Sequence, residues 1–327
     1  MILVIDADSI AYKLADKCIV VGDAAAKGFE AEDGFSGNEL ETTRLEHHTD
    51  EDGHSYVIET SIEIAKQLVQ DYIDDMIDNA NDILAVTAEP VDFQEKPKIE
   101  DYVLFLTAGQ KVSHLYKQKY GYDNIVKCFR YEIADDSLEH GYKHKRISKP
   151  LHGYITIMEA MALHFNSEMF DYIEADDVCV SLCNTYPEEF FLAALDKDVL
   201  NQTVGNHLNY GKLGTDEALY NTSSKYAIFY KYWQTILGDP TDGYKGIPGV
   251  GKVGAAKMIN PDMSEAEMYD IILNKYISKG LGEQEFIATM RLADMTQVKI
   301  DKLTFTNDGK FNFKWHLELY QSPKGAN

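Results

Sequence analysis

No stretch of eighteen apolar residues occurs in the 327 residues, so the sequence predicts no membrane-spanning helix. Cysteine is scarce: Cys18, Cys128, Cys179 and Cys183 form no CxxC pair, which removes the common zinc and dithiol motifs. Cys179 and Cys183 stand at helical spacing and read as core thiols of a reducing compartment. An uninterrupted apolar leader is also missing, because Asp6 and Asp8 break the N-terminal run MILVIDADSIAY; the expectation is a cytosolic chain. Positive charge is in short supply. Lys and Arg number 31 against 54 Asp and Glu, a formal net charge of −23. Phosphate affinity comes from Lys and Arg, so the total speaks against nucleic acid. Its distribution speaks the other way: residues 23 to 101 are heavily acidic, whereas Lys111 to Lys149 holds a local excess of Lys and Arg, and steering follows the local field.

The elements alternate. Ile2 to Ile5 is a short apolar run read as a buried strand, and Ser9 to Cys18 as the helix after it. Residues 22 to 56 are rich in Gly, Asp, Glu and His and read as a polar, mobile insertion, with His47, His48 and His54 among solvated acids. Thr60 to Asn81 has the period of a long amphipathic helix. Tyr102 to Leu106 and Glu189 to Leu195 are the next buried strands, Pro150 to Phe165 and the stretch after Glu174 are helices, and Tyr226 to Tyr276 is helical about a glycine-rich turn. Lys299 to Tyr320 alternates around Asn307-Asp308-Gly309, a hairpin signal. Strands alternating with helices predict an α/β fold with a mainly parallel sheet.

Sites in such sheets form at the carboxyl ends of strands. Asp6 ends one strand there; Asp196 and Asp198 end another; Glu174, Asp176 and Asp177 stand just before a helix; Asp239 and Asp242 lie three apart in ILGDPTDGYKGIPGVG. Each piece has a bland reading as a helix cap or a turn former. Jointly they are eight carboxylates at element edges, which repel one another unless cations intervene. Oxygen donors without His or Cys suit Mg²⁺, and a pair of such ions suits phosphodiester hydrolysis. Gly246 to Gly251 then opens a helix, where glycines and the positive helix end let backbone N–H groups approach an anion.

These residues resemble the 5′-nuclease superfamily of flap endonucleases and 5′→3′ exonucleases, most closely its free-standing phage-type members. The carriers are VIDADS near the start, YKHKR at Tyr142 to Arg146, KPLHGY at Lys149 to Tyr154, EADDV at Glu174 to Val178, ALDKDV at Ala194 to Val199, and QTILGDPTDGYKGIPGVG at Gln234 to Gly251, in family order. The resemblance implies a PIN-like nuclease domain over 1–215, with 22–56 inserted and 110–150 as a basic arch or threading region. A helix–three-turn–helix DNA-binding region with a hairpin tail would follow over 216–327. It implies that Asp6, Glu174, Asp176, Asp177, Asp196, Asp198, Asp239 and Asp242 serve the metals. Arg130, Lys143 and Arg146 would hold phosphate, while Gly246, Gly249, Gly251, Lys252 and Lys257 would hold the duplex.

The implied cofactor is Mg²⁺, one ion or two, with Mn²⁺ as a substitute and K⁺ as a further ion at the glycine turn. The implied partner is DNA with a free 5′ end or a 5′ flap, met by a monomer in a bacterial cytoplasm where a phage gene is expressed. Hydrolysis would use a metal-activated water. One departure stands out: after the second strand the family usually offers an Asp, and this chain has Leu106-Thr107-Ala108-Gly109. Two alternatives stay open, a structure-specific DNA-binding protein with impaired catalysis on account of Ala108, and a PIN-type ribonuclease. The acidic insertion 22–56 is expected to mimic DNA charge and compete for the site.

Overall fold

The computed structural model describes residues 1–22, 43–49, 52–88, 96–122, 124–137, 142–143, 152–305 and 311–321. Its centre is a six-stranded sheet built from Ile2–Asp6 (β1), Asp101–Thr107 (β5), Ser167–Phe170 (β6), Phe190–Ala194 (β7), Gly205–Asn209 (β8) and Leu219–Thr222 (β9), in the order β6-β5-β1-β7-β8-β9. All neighbours run parallel except β9, which returns antiparallel to β8. The mainly parallel sheet expected from the sequence is present.

Both faces of the sheet are covered, which is why its strands read as continuous apolar runs. Leu3, Ile5, Leu104, Leu106, Phe191 and Ala193 enter one core; Val4, Val103, Phe105, Phe190, Leu192 and Ala194 enter the other. The first core is closed by Asp8–Leu14 (α1), Ile62–Thr87 (α2) and Tyr154–His164 (α5). Helix α2 starts where the Ser61 hydroxyl caps the Ile64 N–H at 3.2 Å, and it buries Ala65, Val69, Ile73, Met76 and Ala80 at three- and four-residue spacing. The second core holds Ala175–Thr185 (α6) and Lys197–Gln202 (α7).

The insertion is more ordered than its composition suggests. Ile19–Gly22 (β2), Thr43–Thr49 (β3) and Ser55–Ser61 (β4) form a separate antiparallel sheet in the order β2-β4-β3. Thr60 is fully buried, and its hydroxyl meets that of Thr156 on α5 at 2.6 Å, which ties the hairpin to the main body. The expectation of a mobile segment therefore fails for 43–49 and 55–56; residues 23–42 and 50–51 lie outside the described residues. Charged strand faces hid the period-two pattern. His47 and His54 are exposed.

The basic stretch folds in part as Ser113–Tyr120 (α3) and Phe129–Ser137 (α4), with Leu115, Tyr116 and Phe129 buried. Lys119 is bound to the Ala162 carbonyl at 3.0 Å and to the Ser167 hydroxyl at 2.9 Å. Residues 123, 138–141 and 144–150 of the expected arch lie outside the described residues.

A third core unites Ser224–Leu237 (α8), Lys252–Met258 (α9), Glu265–Ser278 (α10) and Glu283–Ala293 (α11). Between α8 and α9 the chain makes a two-residue ladder, Gly238–Asp239 (β10) with Tyr244–Lys245 (β11). The hairpin Val298–Phe305 (β12) and Phe311–Leu317 (β13) leaves this helical unit and packs on the second sheet core, where Phe313 meets Phe105 at 6.3 Å and Phe170 at 5.9 Å between ring centroids. Among the described residues no helix is long and apolar enough to cross a membrane.

Candidate active site

The acids gather where the central strands end. Asp6 closes β1 and is 4% exposed. Asp196, after β7, caps α7 by accepting the Asp198 N–H at 2.8 Å, which points both residues to the same sheet end. Glu174 precedes α6, and its N–H donates back to Asp177 at 3.3 Å, so the capping geometry of that helix fixes Glu174, Asp176 and Asp177 together. Oxygens of these three lie within 4.8 Å of one another; among the described residues they form the carboxylate group able to share a cation.

Arg130 explains how so much negative charge stays buried. Only 1% exposed, its guanidinium grips Asp177 with both ends, at 2.5 and 2.6 Å, and reaches Glu174 at 3.3 Å. Two more donors go to the Leu292 and Asp294 carbonyls at 3.2 Å. The expectation that Arg130 touches a phosphate is therefore corrected: a side chain sealed in the core and saturated with acceptors orients the acids. The same pairing holds both oxygens of Asp177, which stays within the carboxylate group as its most tightly oriented member.

Lys143 stands beside the acid group. Its ammonium is paired with Glu174, and its backbone N–H, in a left-handed conformation at φ 55°, donates to the Asp242 carbonyl at 2.7 Å. The Tyr142 hydroxyl is 3.0 Å from both Glu174 and Asp242, so Asp242 joins the acid group through a phenol. Asp239 chiefly forms its own turn, accepting from the Thr241 N–H at 2.7 Å. Arg146 lies outside the described residues.

Charge and burial push the cluster in opposite directions. Burial raises Glu174, but Lys143 and Arg130 overcome it and bring the carboxyl down to about 2. Asp176 goes well above the carboxylate range through burial, with Glu174 and Asp177 adding repulsion. Asp6 rises in the same way through burial and the charges of Asp8 and Asp196, and burial beside Asp196 carries Asp198 up to about 6. Such a group is short of positive charge, the condition that a divalent cation relieves.

Four participants escaped the sequence reading. Asp8, in the first turn of α1, accepts the Thr107 N–H at 2.9 Å, which puts a carboxylate at the end of β5 where Ala108 supplies none. The Thr107 hydroxyl accepts the Ala175 N–H at 2.8 Å and joins β5 to α6. Tyr142 bridges two acids, and the Tyr230 hydroxyl donates to Asp198 at 2.7 Å. The spacing Asp6-x-Asp8 was the one available signal; the others depend on strand and helix neighbours.

At the glycine turn the three glycines differ. A Cβ on Gly246 would collide with the Ile236 carbonyl oxygen, so this glycine serves close packing against the end of α8 rather than an open N–H. Gly249 needs its positive φ of 76°, and Gly251 faces open space before α9. Lys252 and Lys257 are exposed on α9.

No protein-family model matches the chain. In sequence it is 28% identical over 151 residues to the flap endonuclease Xni of Colwellia psychrerythraea, a match covering 42% of this chain and 50% of that protein. The chain thus spans about half the length of the curated relative it matches. In structure it resembles the T5 D15 protein co-crystallised with metal ions, with a TM-score of 0.53 at 12% identity over 90% of this chain and 89% of that one. It is similar as well to a pseudo-enzyme–product complex of the bacteriophage T5 D15 flap endonuclease with DNA and metal ions, with a TM-score of 0.52 at 11% identity over the same shares. The chain thus shares the fold of the T5 D15 protein over nine tenths of its length and is similar in sequence, over part of that length, to a flap endonuclease.

Proposed function

We propose that this protein is a divalent-metal-dependent nuclease that hydrolyses phosphodiesters at the 5′ ends of duplex or flap DNA. The observation that carries the reading is the group Glu174, Asp176 and Asp177, its oxygens within 4.8 Å at the carboxyl end of a parallel sheet. An all-oxygen donor set without His or Cys fits Mg²⁺, and Mn²⁺ by the same chemistry. Glu174 and Asp176 would hold the ion, with Asp6 and Asp8 close enough to feel the charge of Glu174 and Asp196, Asp198, Asp239 and Asp242 available for a second ion or its waters. When bound, the cation supplies neutralisation of the cluster and activation of water.

The chain's own residues do the rest. Arg130 keeps Asp177 and Glu174 aimed. Lys143, 15% exposed in its side chain, stands at the rim as a cation for the phosphate, with Arg146 as its expected companion. Gly249, Gly251, Lys252 and Lys257 would hold the phosphates of the duplex without reading sequence, and a K⁺ ion at that turn is compatible with its carbonyls. Residues 1–215 would carry the chemistry and the helices from 224 to 293 the duplex. The alternative of a binding protein with impaired catalysis rested on Ala108; Asp8 at the end of β5 offers the missing charge and favours catalysis.

Cleavage of a 5′-labelled duplex, a 5′-flap duplex and a matched RNA duplex, in Mg²⁺ or EDTA, tests the proposal. Mg²⁺-dependent cutting of DNA that disappears in Asp196→Ala is expected. Tight binding without cutting, in Mn²⁺ as well, would replace it by the binding-protein reading, and preferential cutting of RNA by the ribonuclease one.

A further inference from the structure

A cleft of about 600 Å³ opens beside the carboxylates, between α8 and α9. One wall is aromatic and comes from a single helix: Tyr226, Phe229, Tyr230 and Trp233. Tyr226 and Tyr230 lie 6.1 Å apart between ring centroids at an interplanar angle of 30°, and Phe229 and Trp233 lie 5.6 Å apart. Phe229 and Tyr230 are buried, whereas Tyr226 and Trp233 stay only partly covered by the helical core. Lys197 and Lys252 also line the cleft, and the Lys197 side chain is 73% exposed. Asp239 forms another part of the lining, and the Tyr230 hydroxyl bonded to Asp198 joins the cleft to the acid cluster.

We propose that this cleft takes one unpaired nucleobase of the DNA, stacked on Trp233 and Tyr226, with its phosphate between Lys197 and Lys252. The inference rests on the nuclease reading and adds a subsite to it. Ring faces beside cations, next to a phosphate-handling site, match a nucleotide in both charge and shape. A volume of this size accommodates a small organic group rather than a duplex. A paired base has its faces covered by neighbours, so only an unpaired base offers the surface these rings need. The base would enter from a flap or gap, and recognition by stacking alone would be indifferent to its identity.

The chain has two tryptophans, so Trp315→Phe leaves Trp233 as the sole indole reporter. In that background, with Asp196→Ala and Mg²⁺ to hold DNA uncut, a thymidine-flapped duplex and a blunt duplex are titrated while anisotropy follows binding. Quenching of Trp233 by the flap but not by the blunt duplex is expected. In the Asp196→Ala chain with Trp315 retained, Trp233→Ala should weaken flap binding by about tenfold or more, leave blunt-duplex binding unchanged, and be rescued largely by Trp233→Phe. Binding of the flap with a silent Trp233, equal quenching by both DNAs, or equal losses for both in Trp233→Ala would overturn the inference while leaving the nuclease reading intact. No binding of either DNA would sink both.

Discussion

At the scale of single residues, the site depends on a few buried charges in balance. Arg130, 1% exposed, makes donor contacts to Asp177, Glu174 and two carbonyls at the end of α11. Arg130→Met should cost roughly 3–5 kcal/mol in chemical denaturation, because it strands buried carboxylates without a partner. A loss below about 1 kcal/mol would mean the acids are neutral without it. Asp176 carries the opposite sign. Its raised pKa means the fold favours the proton, so the stabilising neutral form is lost as pH rises and a penalty remains at pH 7. Asp176→Asn should therefore raise the melting temperature of the metal-free protein while abolishing the further rise that Mg²⁺ brings to the wild type. Unchanged stabilisation by Mg²⁺ would remove Asp176 from the metal ligands. The types of these residues were legible in the sequence; their division of labour was not, because nothing in the spacing of Arg130 and Asp177 reveals that they face each other.

At the scale of elements, the glycine turn separates packing from contact. Gly246→Ala places a methyl against the Ile236 carbonyl and should disrupt the docking of α9 on α8, seen as a lower melting temperature and loss of DNA binding together. Gly251→Ala meets open space and should leave stability within about 0.5 kcal/mol. A DNA-binding loss in Gly251→Ala without a stability loss would mark the backbone there as a phosphate contact. The helix–turn–helix order around this turn was readable because Gly and Pro punctuate it strongly. The strands of the 43–61 hairpin were not, because their pattern of inward Thr60 and Ile58 is short and lies among charged residues.

At the scale of the whole molecule, acid response mixes opposing groups. The raised acids gain stability as pH falls, whereas His207, buried on β8 against the Thr203 carbonyl, is held neutral by burial and pushed down to about 4. An unfolded histidine takes its proton near 6.5, so this group withdraws stability as pH drops from there to about 4, by roughly 3 kcal/mol in all. Denaturation of wild type and His207→Gln across that window isolates the contribution: the difference between them should shift toward the variant on acidification. A pH-independent difference would mean that His207 is protonated in the fold.

What the sequence determined by itself was the part written in local pattern. Continuous apolar strands predicted a parallel sheet covered on both faces, and acids placed immediately after them predicted a charged site at one sheet end, because strand direction and strand end are both local properties. Tertiary structure alone decided which acids are free. Arg130 reaches Asp177 and Glu174 across more than forty residues and the Leu292 carbonyl across 162, and Asp8 reaches the end of β5 across 99. Those pairings decide whether a buried carboxylate is neutralised by protein or left for a cation. They follow from how helices close over the sheet, a choice made by packing and not by any residue's neighbours in the chain.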